Sequence, residues 1–429
     1  MFQLSLSSRR VFAKLITMAF YIQQIFAWEI LDSRGNPTLA ARCTLSNGIV
    51  AKAHAPSGAS TGKHEAVELR DGDPNRYHGK GVLQAVRNVN EVIAPALAGL
   101  RPSEADARML ELDPAPGKAN LGANAILAVS CAAARATALA EGLPLWQYLA
   151  GARLPKLPVP MVNILSGGLH AGRNIEFQDF LVVPNGIQEY GRQLEAIVSI
   201  HRAAKIVLEK AGCVLTGVAD EGGWGPRLNS NEKALEYLTR SIELAGFQPG
   251  AQVSIAIDVA SSHFFTGDAY DLQTEGRTLT AAGMVDLLED WSVRYPVISI
   301  EDGLAEDDWA GWQLLTARLG RSLQLIGDDL FTTNIERLER GITTGAGNAV
   351  LVKMNQIGTL TETFAVVDRA REAGFAAVIS ARSGETEDDF LADLATASGA
   401  GQIKVGSITR SERLAKYNRL FEIERELRG

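Results

Sequence analysis

The sequence predicts an α/β protein in which a smaller α+β domain precedes a closed α/β barrel. Eight short apolar runs alternate with helical stretches in the second part of the chain, as expected for a mostly parallel sheet covered by helices. Eight such runs over about 270 residues match the strand number of a closed barrel. The alternative is an open doubly wound sheet, but no glycine-rich dinucleotide-binding turn follows the first run. The predicted strands span residues 159–165, 180–183, 253–259, 297–300, 323–326, 349–352, 376–379 and 402–405.

The first part of the chain has a different pattern. Residues 25–55 have a polar, hairpin-like sequence with turns at 33–37 and 46–48. Alanine-rich helical segments follow, and the clearest helix covers residues 122–141. Gly142 and a proline two residues later are typical of a helix end. Strands followed by helices predict an α+β domain.

These patterns predict three regions. The α+β domain covers residues 18–150, and the barrel domain, with the active site, covers residues 151–429. Residues 1–17 carry three positive charges but lack the long apolar centre and cleavage site of a signal peptide. We predict that they form a disordered extension, with Met18 as an alternative start.

Composition excludes several functional classes. The 429 residues are 46% hydrophobic and carry a net charge of −8, which argues against disorder and against nucleic acid as the primary ligand. Three scattered cysteines predict neither a disulfide framework nor a zinc site and favour the reducing cytoplasm. No apolar run approaches the roughly 20 residues of a membrane span, so membrane insertion is not expected.

Charged and polar residues stand at the carboxyl ends of several predicted strands. They are Asp258, Glu301, Asp302, Asp328, Asp329, Lys353, Arg382, Ser383 and Lys404. In a barrel these strand ends converge on one face, where a partly buried charge must be paired or bound to a metal. A single such residue is more often a strand-end or helix-capping residue, but a set of both signs indicates a functional site.

Three of these carboxylates predict a metal site. Asp258, Glu301 and Asp328 come from three successive strands, with no histidine or cysteine nearby. Such a hard-oxygen set favours Mg²⁺, with Ca²⁺ or Mn²⁺ behind it. The alternative is a buried ion-pair network with Lys353 and Lys404.

The two lysines are candidate bases. A lysine that faces another cation and a metal has its neutral form favoured, so Lys353 or Lys404 is expected to act as a general base. A lone lysine would more ordinarily form a salt bridge. Asp329 is expected to orient Lys353.

Three glycine-rich stretches lie near these residues in the predicted fold. They cover residues 57–62, 167–172 and 220–223. Each alone is compatible with a simple turn. The first two are also typical of mobile lids that exclude water from a site, and the third carries a carboxylate on a tight backbone.

Taken together, these motifs resemble the enolase family, the phosphopyruvate hydratases of glycolysis. The matching stretches are LDSRGNPT (31–38), PSGASTG (56–62), ELRDGD (68–73), GANAILAVS (122–130), DEGG (220–223), SIEDGL (299–304), GDDLFTTN (327–334), VKMNQIGTLTET (352–363), SARSGETED (380–388) and GQIKVGSITRSERLAKYN (401–418). The resemblance implies an α+β domain followed by an enolase-type, TIM-like barrel. The first strands of that barrel depart from strict alternation of strand and helix. It implies a hydro-lyase that reversibly dehydrates 2-phospho-D-glycerate to phosphoenolpyruvate, as a cytoplasmic homodimer or octamer. Family resemblance also leaves the cell surface or secretion open.

The resemblance also implies a metal and a base. Asp258, Glu301 and Asp328 are similar to the ligands of a tightly bound Mg²⁺, and Ser60 to a serine that helps hold a second Mg²⁺. Lys353 matches the base that removes the C2 proton of 2-phosphoglycerate.

The remaining roles concern the substrate. Glu221 matches the acid that helps the C3 hydroxyl leave, and His170 matches the histidine of the second lid. Lys404 would face the substrate carboxylate, and Arg382 and Ser383 would hold the phosphate.

Two positions depart from the family pattern. Ala381 replaces a histidine near the phosphate, and Asp179 replaces a glutamate in the catalytic and substrate-binding set, shortening its reach by about 1 Å, a displacement that catalysis can feel. The favoured interpretation is a working enolase with a variant phosphate side. The alternatives are a paralogue that acts on a related phosphorylated or phosphonylated carboxylic acid, and a catalytically weak interaction module.

Overall fold

The computed structural model describes residues 20–58 and 62–428. The predicted extension at residues 1–17 lies outside this part of the chain. The described chain opens with a three-stranded antiparallel sheet in the order β1–β2–β3, formed by β1 (Ile22–Leu31), β2 (Pro37–Leu45) and β3 (Val50–His54). In the turn between the first two strands, Asp32 Oδ1 accepts hydrogen bonds from the backbone N–H groups of Arg34 and Asn36 at 2.9 and 2.8 Å. The predicted hairpin pattern is therefore confirmed.

Helices cover this sheet. They are α1 (Leu83–Arg87), α2 (Ala94–Leu97), α3 (Ala105–Leu112), α4 (Ala123–Glu141) and α5 (Leu145–Ala150). Helix α4 packs against β2 and β3, and Gly142 follows it with a φ of +67°, a left-handed conformation that glycine adopts without strain. The predicted helix and its end are confirmed.

Helix α4 corrects the expectation about membrane-length segments. Its 19 residues are long and apolar enough to cross a membrane by length and composition, but 78% of the apolar stretch is buried inside the protein. A helix buried among other elements is apolar on most sides. The expectation that no apolar segment reaches this length was therefore wrong for this helix, while the expectation that the protein does not insert into a membrane stays a prediction.

The second part of the described chain forms a closed eight-stranded barrel. Its strands are β4 (Val159–Ser166), β5 (Asp179–Val183), β6 (Ser254–Asp258), β9 (Val297–Glu301), β10 (Gln324–Gly327), β11 (Ala349–Val352), β12 (Ala376–Ser380) and β13 (Gln402–Gly406). They follow one another around the ring in that order, and β13 pairs with β4. Strand β5 runs antiparallel to both neighbours, while the other pairs are parallel. The barrel, its eight strands and its irregular opening are confirmed.

Helices and a small hairpin surround the barrel. The helices are α6 (Tyr190–Lys210), α7 (Glu232–Leu244), α8 (Ala281–Arg294), α9 (Trp309–Leu319), α10 (Ile335–Thr344), α11 (Met354–Ile357), α12 (Leu360–Glu372), α13 (Phe390–Ser398) and α14 (Ser411–Arg428), and the hairpin is β7 (Tyr270–Leu272) with β8 (Arg277–Leu279). Side chains of Thr280, Asp308, Asn334 and Thr359 accept hydrogen bonds from backbone N–H groups at the starts of α8, α9, α10 and α12. Such capping residues explain where these helices begin.

Packed side chains fill the interior of the barrel, so a functional site can lie only at one of its ends. A separate buried apolar cluster contains side chains from six of the eight barrel strands, namely Met161, Leu181, Val183, Ala256, Ile326, Ala349, Leu351 and Val378. The α+β domain contacts the carboxyl-end rim, where the backbones of Ser57 and Gly384 exchange hydrogen bonds of 2.7 and 2.8 Å. Residues of the α+β domain therefore lie against the carboxyl-end rim of the barrel.

Candidate active site

The strand order places the candidate residues on opposite walls of the rim. Lys353 follows β11, whereas Asp179 is the first residue of the reversed strand β5 and pairs with Asp258 at the end of β6. Strands β11 and β5 lie four positions apart in the eight-strand ring. Lys404 in β13 and Glu301 at the end of β9 are likewise four positions apart. The sequence-predicted residues thus meet from all sides of one opening.

A cleft lies at this opening. The predicted residues that line it are His170, Glu221, Asp258, Asp302, Asp328, Asp329, Lys353, Arg382, Ser383 and Lys404. Asp179 and Glu301 are buried just behind this lining, against His170 and Lys404. Ser60 lies outside the described residues, and its role stays a prediction.

Lys404 joins two of the three carboxylates predicted to bind metal. Its Nζ lies 2.7 Å from Asp258 Oδ2 and 2.7 Å from Glu301 Oε2. Gln178 Nε2 donates a further hydrogen bond to Asp258 Oδ2 at 3.2 Å. All four side chains are buried, so this charge is shielded from water.

The third carboxylate, Asp328, is paired with Lys353 Nζ. Its other oxygen accepts a hydrogen bond from Gln356 Nε2 at 3.0 Å. Asp302 holds the adjacent turn, because its two oxygens accept from the backbone N–H groups of Asp328 and Asp329 at 2.9 and 2.8 Å.

One expectation about Lys353 is corrected by the structure. Its carboxylate partner is Asp328 and not Asp329. Burial alone would lower the pKa of Lys353, but the charge of Asp328 raises it above the ordinary value. The lysine is therefore protonated while it is paired with Asp328, and its neutral form beside a bound metal stays a prediction.

The rim carries more acid than its lysines neutralise. Burial and the neighbouring Asp258 raise the pKa of Glu301 to about 8, against the opposing charge of Lys404. Carboxylate oxygens of Asp302, Asp328 and Asp329 lie within 4.8 Å of one another, and burial with the charge of Asp328 raises the pKa of Asp329 to about 7. Clustered hard oxygens that cannot all ionise fit a divalent cation such as Mg²⁺.

Adding Mg²⁺ at pH 7 is expected to release protons. Because the pKa of Glu301 is about 8, its carboxyl is mostly protonated at pH 7, and a bound cation requires the ionised form. Proton release is measured with an indicator dye in weakly buffered protein, and the control is the same addition at pH 9.5, where release should be small. Equal release at the two pH values, or none at pH 7, would contradict the assignment of Glu301.

A second cluster occupies the wall opposite Lys353. His170 Nδ1 lies 2.9 Å from Asp179 Oδ2, and His170 Nε2 lies 3.9 Å from Glu221 Oε1. Asn163 Nδ2 donates to the other oxygen of Asp179. Asp179 therefore reaches its partners despite the shorter side chain.

The protons of this cluster are shared unevenly. Burial alone would lower the pKa of His170, but Asp179 and Glu221 raise it to about 9. Burial would raise the pKa of Glu221, but His170 and nearby cations hold it below the ordinary value. At neutral pH the available proton therefore lies on His170, with Glu221 beside it as a carboxylate.

Arg382 and Ser383 line the cleft at the end of β12. The fully buried Arg413 donates to their backbone carbonyls at 2.6 Å each. Ala381 stands beside them, 8% exposed, and its N–H donates to the carbonyl of Lys404 at 2.8 Å. Where a histidine was expected from the family pattern, the wall of the cleft offers only a methyl group.

Sequence reasoning missed four further residues of the site. Gln178, Gln356 and His263 were not singled out, although Gln178 directly precedes Asp179 and Gln356 lies three residues after Lys353. Glu65 carried no signal at all, because it reaches the cleft from the other domain. His263 is half-buried and lines the cleft, and burial lowers its pKa.

The fold and the site together define a class, that of α/β-barrel proteins with a site of clustered acids and lysines at the carboxyl-end rim. Residues 22–149 match the family model for the enolase N-terminal domain, and residues 155–429 match the model for the enolase C-terminal TIM barrel domain. The chain therefore belongs to the enolase family and is an enzyme of the enolase superfamily. Proteins of this family bind Mg²⁺ and small phosphorylated substrates. The change between the two matches falls at residues 149–155, and the exact domain boundary stays a prediction.

Proposed function

We propose that this protein catalyses the reversible, Mg²⁺-dependent dehydration of 2-phospho-D-glycerate to phosphoenolpyruvate, as a hydro-lyase of glycolysis and gluconeogenesis. The observation that carries the proposal is the placement of Lys353 and the His170–Asp179–Glu221 cluster on opposite walls of one cleft. Elimination of water needs a base at one carbon and a proton source at the next. Lys353 on one wall is the proposed base, and the His170–Asp179–Glu221 cluster on the other wall is the proposed proton source.

The first step is removal of the C2 proton by Lys353. Lys353, which is protonated in its ion pair with Asp328, must first give that proton to solvent. The C2–H bond then breaks, its electron pair passes toward the carboxylate, and the neutral Nζ takes the proton. Asp258, Glu301 and Asp328 would hold Mg²⁺, which would supply positive charge against the charge that builds on the carboxylate. Lys404 contributes a fixed positive charge to the same group.

The second step is loss of the C3 hydroxyl. The C3–O bond breaks, the electron pair on C2 forms the double bond, and the leaving oxygen takes a proton to become water. Glu221 is the residue proposed to deliver that proton. His170, protonated at neutral pH and 3.9 Å away, can supply it to Glu221, while Asp179 fixes the imidazole.

The substrate phosphate is proposed to bind Arg382 and Ser383. Arg382 is 3% exposed and lines the cleft. A guanidinium suits a phosphate because it is always charged and carries five N–H donors. Ser60 and a second Mg²⁺, a cytoplasmic location and a homodimer or octamer remain part of the proposal by family resemblance.

The direct test is an ultraviolet assay of the purified protein with 2-phosphoglycerate and Mg²⁺. The enol product absorbs, and turnover should be lost with a chelator and restored by added Mg²⁺. A folded protein that binds Mg²⁺ but leaves 2-phosphoglycerate unchanged would refute the proposal. It would favour action on another phosphorylated or phosphonylated acid, which a substrate panel would then identify.

Ala381 is the observation that favours this second candidate. Ala381→His is expected to raise kcat/KM for 2-phosphoglycerate by about 10-fold, on the scale of one added hydrogen bond to a charged group, if the protein is an enolase with a weakened phosphate side. Kinetics of the wild type and the variant on the same substrate measure the change. Ala376→His, at the opposite end of β12, is the matched control and should give no gain. A loss of activity in Ala381→His would show a cleft adapted to alanine.

A further inference from the structure

We infer that Glu65, in the α+β domain, is a positioning residue that holds the guanidinium of Arg382 for the substrate phosphate. The inference rests on the proposed function, since Arg382 is assigned there to the phosphate. It goes beyond that function because it places a residue of the other domain in the working site.

The contact between the two side chains is bidentate and buried. Arg382 Nη1 lies 2.7 Å from Glu65 Oε2, and Nη2 lies 3.3 Å from Glu65 Oε1. The side chains are 3% and 5% exposed. Two parallel hydrogen bonds to a planar fork fix its rotation as well as its distance. Removing one partner of such a pair leaves an uncompensated buried charge, so the geometry depends on both.

The backbone of Arg382 is held by other residues. Its carbonyl accepts from Arg413 Nη1 at 2.6 Å, and its N–H donates to Glu385 Oε1 at 3.0 Å. Glu385 is itself paired with Lys416 at 2.9 Å. The main chain at this position is therefore fixed from within the barrel, and Glu65 acts on the far end of the side chain.

One oxygen of the Glu65 carboxylate has two further partners. Its Oε1 accepts the backbone N–H of Gly62 at 2.8 Å and approaches Gln356 Nε2 at 3.4 Å. The same Gln356 amide donates to Asp328 Oδ1 at 3.0 Å, and Thr333 Oγ1 donates to Gln356 Oε1 at 2.6 Å. The carboxylate thus spans the space between Arg382 and the acids of the rim.

This arrangement predicts that the effects of changing Glu65 and Arg382 on activity are coupled, rather than that a change of Glu65 only lowers the stability of the protein. If Glu65 acts through Arg382, its contribution should vanish once the guanidinium is absent. If Glu65 only ties the domains together, its removal should affect the protein equally with or without Arg382. Neighbouring residues that act as a unit show this non-additivity in a double-mutant cycle.

The experiment compares the wild type, Glu65→Gln, Arg382→Ala and the double variant on 2-phosphoglycerate. Glu65→Gln should lower kcat/KM by about 10- to 100-fold, as expected for a small misplacement of a binding group, whereas the double variant should be no worse than Arg382→Ala. Glu65→Asp keeps the charge and should retain more activity than Glu65→Gln. Glu362→Gln is the matched control: it removes another ion pair between the domains, to Lys118 at 2.9 Å, and should leave the kinetics unchanged. Additive losses in the cycle would overturn the inference.

Binding of inorganic phosphate by calorimetry separates this inference from the proposed function. The same four proteins should show the same coupling, with Glu65→Gln weakening phosphate only when Arg382 is present. If the wild type binds phosphate with this coupling but leaves 2-phosphoglycerate unchanged, the inference stands and the proposed function falls. If the wild type turns over the substrate but the coupling is absent, or if phosphate binds without it, Glu65 has no positioning role.

Discussion

Replacing Lys353 by alanine is expected to abolish turnover of 2-phosphoglycerate while leaving the fold intact. Loss of a general base costs about 100- to 10,000-fold in rate, and here Nζ is the group proposed to take the C2 proton. Lys353 contacts Asp328 at the rim and not the apolar interior of the barrel. Asp328 also keeps its hydrogen bond from Gln356 in the variant.

Two measurements make this prediction specific. The first is turnover, with Lys63→Ala as the control, because Lys63 is also a lysine paired with an aspartate, Asp307, but its side chain is 71% exposed. The second is exchange of the C2 hydrogen of the substrate with deuterium from solvent, which should stop in Lys353→Ala. Circular dichroism confirms the fold, and Lys353→Met serves where alanine leaves the rim unstable. Full activity or continued exchange in a folded variant would remove Lys353 from the role of base.

The fold could be predicted from the sequence because the barrel strands are buried on both sides. Runs such as Ala349–Val352 are apolar throughout, and a buried parallel strand has that pattern by necessity. The reversal of Asp179–Val183 was different. Hydropathy carries no strand direction, and only the resemblance to the family anticipated an irregular opening.

The composition of the site was predictable for the same reason, but its pairing was not. Charged residues at the ends of the predicted strands indicated a site at the carboxyl-end rim, and the structure brings them together there. Which carboxylate meets which lysine depends on side-chain reach and on the turn that follows each strand. Asp302 fixes the turn after β10 by accepting hydrogen bonds from the backbone N–H groups of Asp328 and Asp329, and in that turn Asp328 is the residue that meets Lys353. Nothing in the local sequence marks this choice.

The contact between Glu65 and Arg382 shows most clearly what the sequence alone does not predict. It lies 317 positions from Arg382 in the chain, and its contact exists because the α+β domain contacts the rim of the barrel. Periodicity and motif spacing describe elements within a domain. They do not describe how two domains meet, so a carboxylate that crosses between domains appears in the sequence as an ordinary surface glutamate.

Asp258→Asn is expected to weaken Mg²⁺ binding by 100-fold or more and to remove the stabilisation that Mg²⁺ gives the fold. Changes behind a metal ligand already cost about 10- to 100-fold in affinity, and Asp258 is proposed to be a ligand itself. At a Mg²⁺ concentration about 100 times Kd, binding adds about 2.7 kcal/mol to the free energy of unfolding of the wild type. The variant should lose that increment and, at ordinary Mg²⁺ concentrations, most of its turnover.

The same substitution distinguishes a metal site from the ion-pair network that the sequence left open. Asp258 raises the pKa of Glu301, so asparagine at 258 should let Glu301 ionise at lower pH and should reduce the proton release on adding Mg²⁺ at pH 7. Thermal unfolding with and without Mg²⁺ measures the lost stabilisation, and Asp268→Asn, an exposed aspartate on the loop after the same strand, is the matched control. In a purely structural network, Asp258→Asn would destabilise the protein equally in the two conditions, because Lys404 would lose a partner whether or not the cation is present. A Mg²⁺-dependent loss instead assigns the carboxylates to the cation, with Lys404 as the charge that balances them in its absence.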